Sequence, residues 1–177
     1  MISTQQQLLL RQYQEKSFVS SILAEESYNY YNFTKNIINI PLIICNSAMV
    51  CINSIITDDE LLKILNIILN SSTGLILSLI SNFKVYEHIT SFHLLQIKFT
   101  KLTHLIDSKL TNDLDNINAE FIQNVIDDYD AISESCEYSY PSSIRKRIKR
   151  TYEDKLSLPS SLSIDIVGIC ENNKCCV

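Results

Sequence analysis

The chain has no tryptophan, only two glycines and only three prolines in 177 residues. Rossmann and P-loop folds need several glycines where the backbone approaches phosphate, so the low glycine content argues against both. All-β folds need many tight turns, which glycine and proline favour, so they are also disfavoured. The length corresponds to one domain or at most two.

Positive charge is scarcer than negative charge. Fifteen Lys and Arg against 20 Asp and Glu give a formal net charge of −5, so nucleic-acid binding through overall charge is not expected. The sequence contains no recognisable nucleophile with a base, no glycine-rich phosphate loop and no paired carboxylate site. Asp127, Asp128 and Asp130 are close in sequence but point in different directions on a helix, as on a solvated face. We therefore expect a protein that is not an enzyme and uses no cofactor.

The cysteines and histidines do not form a metal-binding pattern. None of the six cysteines belongs to a CxxC pair, and the three histidines do not share one helix face, so no metal site is expected. Lys174 occupies the position where a prenylation box needs cysteine. Cys175 and Cys176 are either palmitoylation sites or free thiols.

Two long segments carry no charge. Residues 36–57 and 64–83 contain 22 and 20 consecutive uncharged residues. A helix of about 20 mostly apolar residues crosses a bilayer, so both segments are long enough to span one. The alternative interpretation is a pair of buried helices in a soluble bundle.

The flanks of these segments favour a membrane. Aromatic and basic residues cluster at the outer ends: Tyr28, Tyr30, Tyr31, Phe33, Lys35, Phe83, Lys84 and Tyr86. Such rings and lysines prefer the membrane interface. The turn between the segments is acidic, with Asp58, Asp59 and Glu60, so the positive-inside rule places both termini in the cytoplasm. Thr57 and Glu60 also form a capping box, which predicts that the second helix starts near Asp58 after a tight turn.

These segments divide the chain into four predicted regions. Residues 1–35 are predicted to form an amphipathic helix, 36–84 a transmembrane helical hairpin, 85–150 a cytoplasmic helical region and 151–177 a flexible cysteine-containing tail. The stretch 75–140 contains neither Pro nor Gly, so the second spanning helix is predicted to continue unbroken into the cytoplasmic region. The predicted fold class is therefore all-α, a two-pass transmembrane hairpin with an amphipathic N-terminal helix and long cytoplasmic helices.

Apolar residues recur every seven positions after the second segment. The two series are Val85, Phe92, Phe99 and Ile106, and Leu95 and Leu102. This spacing favours either a short coiled-coil seam or ordinary packing against the N-terminal helix. A helix break is predicted at 110–113, and Pro141 is predicted to start a short basic helix.

A stripe of small and polar residues follows the second predicted span. Its members are Asn66, Asn70, Ser71, Gly74, Ser78 and Ser81. The spacing of Gly74 and Ser78 permits close helix approach, and polar residues in a span usually face protein or water. The stripe is either a packing surface inside the hairpin or a self-association surface that lines a pore. No ionisable side chain lies in either span, so such a pore would be weakly selective.

The strongest basic cluster follows Pro141. It consists of Arg145, Lys146, Arg147, Lys149 and Arg150. Near a membrane, such a cluster binds anionic lipid headgroups with about 1 kcal/mol per charge. The alternative interpretation is a solvated helix face.

The order of several features resembles the SLATT family of two-transmembrane proteins. The features are Asn29-Tyr30-Tyr31, Ile40-Pro41-Leu42-Ile43-Ile44, Glu87-His88, the series Phe99, Leu102 and Ile106, and Asp128-Tyr129-Asp130-Ala131-Ile132 before Pro141. The resemblance covers about residues 10–150. It implies a pore-forming or membrane-perturbing effector, of a kind often linked to nucleotide-sensing partners, with its trigger supplied by another chain.

We therefore expect an oligomeric integral membrane protein that forms a pore or perturbs a membrane. Its expected partners are the lipid bilayer, further copies of the chain and a protein bound through 110–177. The alternative function is a non-enzymatic structural or tethering membrane protein, for example of a large DNA virus particle, in a host or virion membrane. A third interpretation is a soluble helical interaction module.

Overall fold

Helices account for nearly all of the chain that the structure describes. The computed structural model describes residues 4–55, 59–112 and 117–163. Its helices are α1 (Thr4–Ile55), α2 (Asp59–Asn82), α3 (Val85–Asn112), α4 (Ala119–Glu134), α5 (Ser142–Tyr152) and α6 (Ser160–Ser163). These described residues contain no strand, so the predicted all-α fold class is confirmed. The predicted capping box includes Thr57 and Asp58, which lie outside the described residues.

The first helix is longer than the sequence predicts. α1 is a single helix of 52 residues, so the structure has no helix boundary at residue 35. Pro41 lies inside α1 and removes one backbone donor there. A helix in a membrane tolerates such a proline because neighbouring groups can satisfy the freed carbonyl.

A helix end separates α2 from α3, so the prediction of one unbroken helix is wrong. The Phe83 N–H donates to the Leu79 carbonyl at 2.9 Å, and the Lys84 N–H donates to the Ser81 carbonyl at 3.0 Å. Lys84 has φ 51, in the left-handed region. This conformation costs a residue with a side chain about 1–2 kcal/mol. Because glycine usually occupies such a position, the sequence gives no warning of the break.

The contacts divide the chain into two compact units. The first unit comprises Met1–Ser27 and Ser91–Val177, and the second comprises Tyr28–Thr90. The second unit therefore contains the predicted hairpin, 36–84, together with its aromatic flanks. α1 and α3 each contribute residues to both units.

The core of the first unit is built on the seven-residue series of α3. Its buried members are Phe92, Leu95, Phe99, Leu102 and Ile106. The Phe99 ring lies 5.7 Å from the Tyr129 ring of α4, and the Tyr129 ring lies 5.4 Å from the Tyr13 ring of α1, centroid to centroid. Edge and tilted contacts of this kind stabilise aromatic cores. The series is therefore buried within the chain, where Phe99 packs against α4.

A second apolar cluster involves the segment after α5. Val19, Leu23, Ile144, Ile148 and Leu162 are buried together. The side chains of Leu156 and Leu158 pack against this cluster. The sequence predicts a flexible tail from residue 151 onward, whereas in the structure three leucines of 151–163 pack in this cluster and bury apolar surface there.

A hydrogen bond also fixes the segment after α5. The Ser157 N–H donates to Oε2 of Glu15 at 2.8 Å. This bond and the burial of Leu162 connect the two stretches of sequence that form the first unit. Residues 164–177, with Cys170, Cys175 and Cys176, lie outside the described residues.

Removing the Phe99 side chain tests the core of the first unit. Phe99 is 2% exposed, so Phe99→Ala is expected to lower the free energy of unfolding by about 3–5 kcal/mol through the cavity it leaves. The matched control is Leu94→Ala on the same helix, where the side chain is 51% exposed and the expected change is below about 0.5 kcal/mol. Urea unfolding of the full-length chain in mild detergent, followed by tyrosine fluorescence, measures both. Equal effects of the two variants would contradict the observed orientation of α3.

Candidate membrane-spanning segments and basic surface

The second unit exposes most of its apolar side chains. Two described segments, one within α1 and one within α2, are long and apolar enough to cross a membrane. Their exposed large apolar side chains are Ile37, Ile40, Ile43, Ile44, Val50, Ile64, Leu65, Ile67, Ile68, Leu75, Leu77 and Leu79. Among the described apolar side chains of these segments, Met49 and Ile80 are the buried ones. A helix in a soluble core would instead bury most of its isoleucines and leucines.

A reciprocal pair of amides joins α1 to α2. Nδ2 of Asn66 donates to Oδ1 of Asn53 at 3.2 Å, and Nδ2 of Asn53 donates to Oδ1 of Asn66 at 3.5 Å. A carboxamide carries both a donor and an acceptor, so two of them can satisfy each other. Asn66, a member of the predicted polar stripe, thus faces α1.

The other members of the polar stripe do not pack against the chain's own helices. Asn70, Ser71, Gly74, Ser78 and Ser81 are all exposed. A Cβ added at Gly74 would meet no atom within 4 Å. Within a single chain, the close approach that Gly74 permits is therefore unused.

Sequence reasoning missed a row of asparagines on α1. Asn32, Asn39, Asn46 and Asn53 recur every seven residues, so they lie near one face of the helix. Nδ2 of Asn39 donates to the Tyr86 hydroxyl at 3.2 Å, and Asn53 pairs with Asn66. The seven-residue spacing is visible in the sequence and is the signal that could have found this row.

The aromatic and basic flanks of the two segments meet within the second unit. Nζ of Lys35 lies 5.8 Å from the centroid of the Tyr86 ring. The rings of Tyr31 and His88 stack with centroids 4.5 Å apart and planes 3° apart. The residues that the sequence assigns to one membrane interface are therefore neighbours in the structure.

Charged side chains surround His88. Nζ of Lys84 lies 3.3 Å from Oε2 of Glu87. Burial lowers the pKa of His88 below its ordinary value of 6.5, Glu87 acts in the opposite direction, and Lys84 lowers the pKa further. The imidazole is therefore neutral at pH 7, which suits a ring stacked on Tyr31.

The predicted basic helix is present as α5. Ile144 and Ile148 are buried on one side of it, which directs the intervening basic residues outward. Lys146 and Arg150 are exposed. This amphipathic arrangement anchors α5 to the first unit and presents cations on its surface.

Arg147, one of the predicted headgroup-binding residues, has a carboxylate partner. Nη2 of Arg147 lies 2.7 Å from Oε2 of Glu26 on α1. An exposed ion pair contributes about 0.2–1 kcal/mol, so it holds Arg147 weakly. Arg145 and Lys149 are half-buried, which leaves Lys146 and Arg150 as the cations most accessible to an external anion.

The first unit contains a cavity of about 240 Å³. It is lined by Ser20, Phe99, Tyr129, Ser133, Cys136, Tyr140, Ser160 and Ser161. Burial raises the pKa of Tyr129, and the neighbouring side chains of Ser20 and Ser133 act in the opposite direction. Burial raises the pKa of Tyr140 and of Cys136, so both are neutral at pH 7. The lining offers neutral polar groups and aromatic rings, which suit ordered water.

The described residues contain no group of three or more His, Cys, Asp or Glu that could hold a metal ion. His93 and His104 are exposed on α3. Asp127, Asp128 and Asp130 are exposed on α4, as on the solvated face that the sequence predicts. Cys45 and Cys51 are also exposed and do not fill gaps between the chain's own helices.

Comparisons of the chain with protein-family models, with curated proteins and with solved structures give no match. The resemblance to the SLATT family therefore stays a prediction. The functional interpretation depends on the geometry of the second unit and on the surface of the first.

Proposed function

We propose that this protein is an integral membrane protein anchored by a two-pass helical hairpin. The exposure of the apolar side chains on both uncharged segments is the observation that carries this proposal. Stable soluble proteins rarely expose a contiguous apolar surface of this extent to water. The acyl chains of a bilayer would cover it without any protein partner.

The order of contacts in the second unit supports a hairpin. Asn39 of α1 bonds to Tyr86, and Asn53, which comes later in α1, bonds to Asn66, which comes earlier than Tyr86. Helices related in this way run antiparallel. Both outer ends of such a hairpin lie at the same membrane interface.

The charge distribution supports an orientation with both termini in the cytoplasm. Lys35 and Lys84 mark the outer ends of the spans, whereas Asp58, Asp59 and Glu60 lie in sequence between the two uncharged segments. The positive-inside rule assigns the lysine-rich side to the cytoplasm. Labelling in intact cells tests this, because a cysteine at Asp59 should react with an impermeant reagent added from outside.

The leading function is an oligomeric effector that forms a pore or perturbs the membrane. The uncharged polar groups of α2, among them Asn70, Ser78 and Ser81, are exposed and would favour contact with protein or water over lipid. The resemblance to the SLATT family supports the same function. Without charged rings in the spans, conduction would show weak ion selectivity.

The alternative function is a structural or tethering membrane protein. The pairing of Asn66 with Asn53 favours it, because this amide is satisfied inside the chain and is less available to line a path for water. The first unit, which has its own buried core, would then bind a protein partner through 110–177. A tether would leave liposomes sealed.

Carbonate extraction tests the membrane proposal. The expressed full-length chain is expected to stay in the membrane pellet at high pH, because two apolar spans hold it in the bilayer. A peripheral protein of the same membrane serves as the control and should be released. Recovery of the chain in the supernatant would contradict the membrane proposal and favour a soluble interaction module.

Liposome leakage separates the effector from the tether. Reconstituted full-length protein is expected to release a small dye, and Asn66→Leu with Asn70→Leu should alter the rate because it removes two polar groups from α2. The matched control replaces the outward-facing Ile64 and Ile68 with leucine and should leave the rate unchanged. Sealed liposomes would favour the tether, and leakage that is the same in all variants would contradict a role for the polar stripe.

We further propose that α5 binds anionic lipid headgroups. Loss of the two exposed cations in Lys146→Gln with Arg150→Gln should weaken retention of phosphatidylserine by the purified full-length chain, by roughly fivefold for each charge. Native mass spectrometry measures the lipid retained. The control, Arg11→Gln with Lys101→Gln, removes two exposed charges elsewhere in the first unit. Equal retention in the two variants would favour the interpretation of α5 as a solvated face.

A further inference from the structure

Asn46, Asn70 and Thr73 are polar residues near the middle of the spans whose side chains have no hydrogen-bond partner among the described residues. Asn46 and Asn70 are exposed and form no side-chain hydrogen bond within the described part of the chain. The Thr73 hydroxyl is shielded from solvent and likewise has no partner there. On the same helix as Asn46, by contrast, Asn39 and Asn53 are both bonded.

The position of these groups makes their lack of partners costly. Asn46 lies at the midpoint of the uncharged segment 36–57, and Thr73 lies at the midpoint of 64–83. The centre of a bilayer holds no water to satisfy an amide. Transfer of an amide into an apolar medium without a hydrogen bond costs several kcal/mol in model systems. This inference rests on the proposed function, a membrane protein anchored by a helical hairpin. In such a hairpin Asn46 and Asn70 require a polar partner.

Helix geometry places both amides on one side of the hairpin. Asn46 precedes Asn53 by seven residues and lies within about 20° of it around α1, and Asn70 lies about 40° from Asn66 around α2. Because the two helices run in opposite directions, these offsets turn both amides toward the same side of their line of contact. Gly74 lies on this side too, where a Cβ would meet open space.

The chain itself shows how such amides are satisfied. Asn53 and Asn66 exchange two hydrogen bonds, and this reciprocal arrangement needs only a second carboxamide. Lipid tails offer no donor or acceptor. A second copy in the same orientation offers both amides at matching depth, because a two-fold axis along the membrane normal preserves the depth of every residue.

We propose that a second copy of this chain packs on the side of the hairpin that carries Asn46 and Asn70, which we call the amide face. The amides of the two copies then satisfy each other across the interface. Asparagines at seven-residue spacing fix the register of packed helices, and Gly74 lets the backbones approach closely. This deepens the proposed function, since it names the surface through which the protein oligomerises.

Disulfide cross-linking tests the amide face. In a cysteine-free background of the full-length chain, Asn70→Cys leaves Asn46 in place and is expected to form a disulfide-linked dimer in membranes under mild oxidation. Its matched control is Ile68→Cys, which lies about 160° away around α2 and is 58% exposed. Asn46→Cys and Ile44→Cys form the same pair on α1, where Ile44 is 62% exposed.

A second measurement does not depend on new cysteines. Asn46→Leu should weaken self-association roughly threefold to tenfold, because it removes an amide contact between copies. Energy transfer between donor-labelled and acceptor-labelled chains in liposomes measures this, with Ile44→Leu as the control. Because Asn46 makes no hydrogen bond within the described chain, its loss should not alter the fold of one copy.

The outcomes separate this inference from the membrane proposal. A chain released by carbonate overturns the proposed function and this interface with it. A chain that stays in the pellet but cross-links equally through Ile68→Cys and Asn70→Cys, or through neither, overturns the amide face alone. Unchanged energy transfer in Asn46→Leu overturns it as well.

Discussion

The physical constraint on which this structure depends is the apolar surface of the two uncharged segments, which the chain itself leaves exposed. In the uncharged segments of α1 and α2 most isoleucines and leucines are exposed, and among the described apolar side chains of these segments Met49 and Ile80 are the buried ones. The hydrophobic effect acts in proportion to apolar area, so this surface requires an apolar environment. In the membrane hairpin that we propose, every polar group within that surface would lie where water cannot reach it. The Asn53–Asn66 pair and the bond from Asn39 to Tyr86 satisfy polar groups within the chain itself.

The two units use the same apolar residue types in opposite ways. In the first unit, α3 interleaves its apolar series with lysines and other polar residues, and it buries Phe92, Phe99 and Ile106 completely or nearly so. In the second unit no charge interrupts the spans, so each helix is apolar around most of its circumference. A helix with one apolar stripe packs on protein, whereas a helix that is apolar all round needs a larger apolar environment. The distribution of charge along the chain therefore determines which helices pack together and which remain exposed.

The sequence predicts those features that depend on composition within one helix. Charge-free length identifies the two candidate spans, and seven-residue spacing identifies the buried face of α3. Features that depend on the partner across a contact were not predictable. The left-handed Lys84 carries no glycine signal, and the burial of Leu162 depends on α1 and α5 being near it. The role of Asn66 needed the register between α1 and α2, which no single-helix pattern contains.

Hydrogen bonding and conduction compete for the same amides. An amide that pairs with another amide is not available to water, so Asn66 stabilises the contact between α1 and α2 and is lost to any polar path. If Asn46 and Asn70 pair between copies, the exposed polar groups that remain on α2 are chiefly its serines. The serines Ser47 and Ser27 of α1 already donate to carbonyls four residues earlier in their own helix, and serines on α2 can satisfy themselves in the same way. Opening such a dimer to water would therefore require the amides of the two copies to separate.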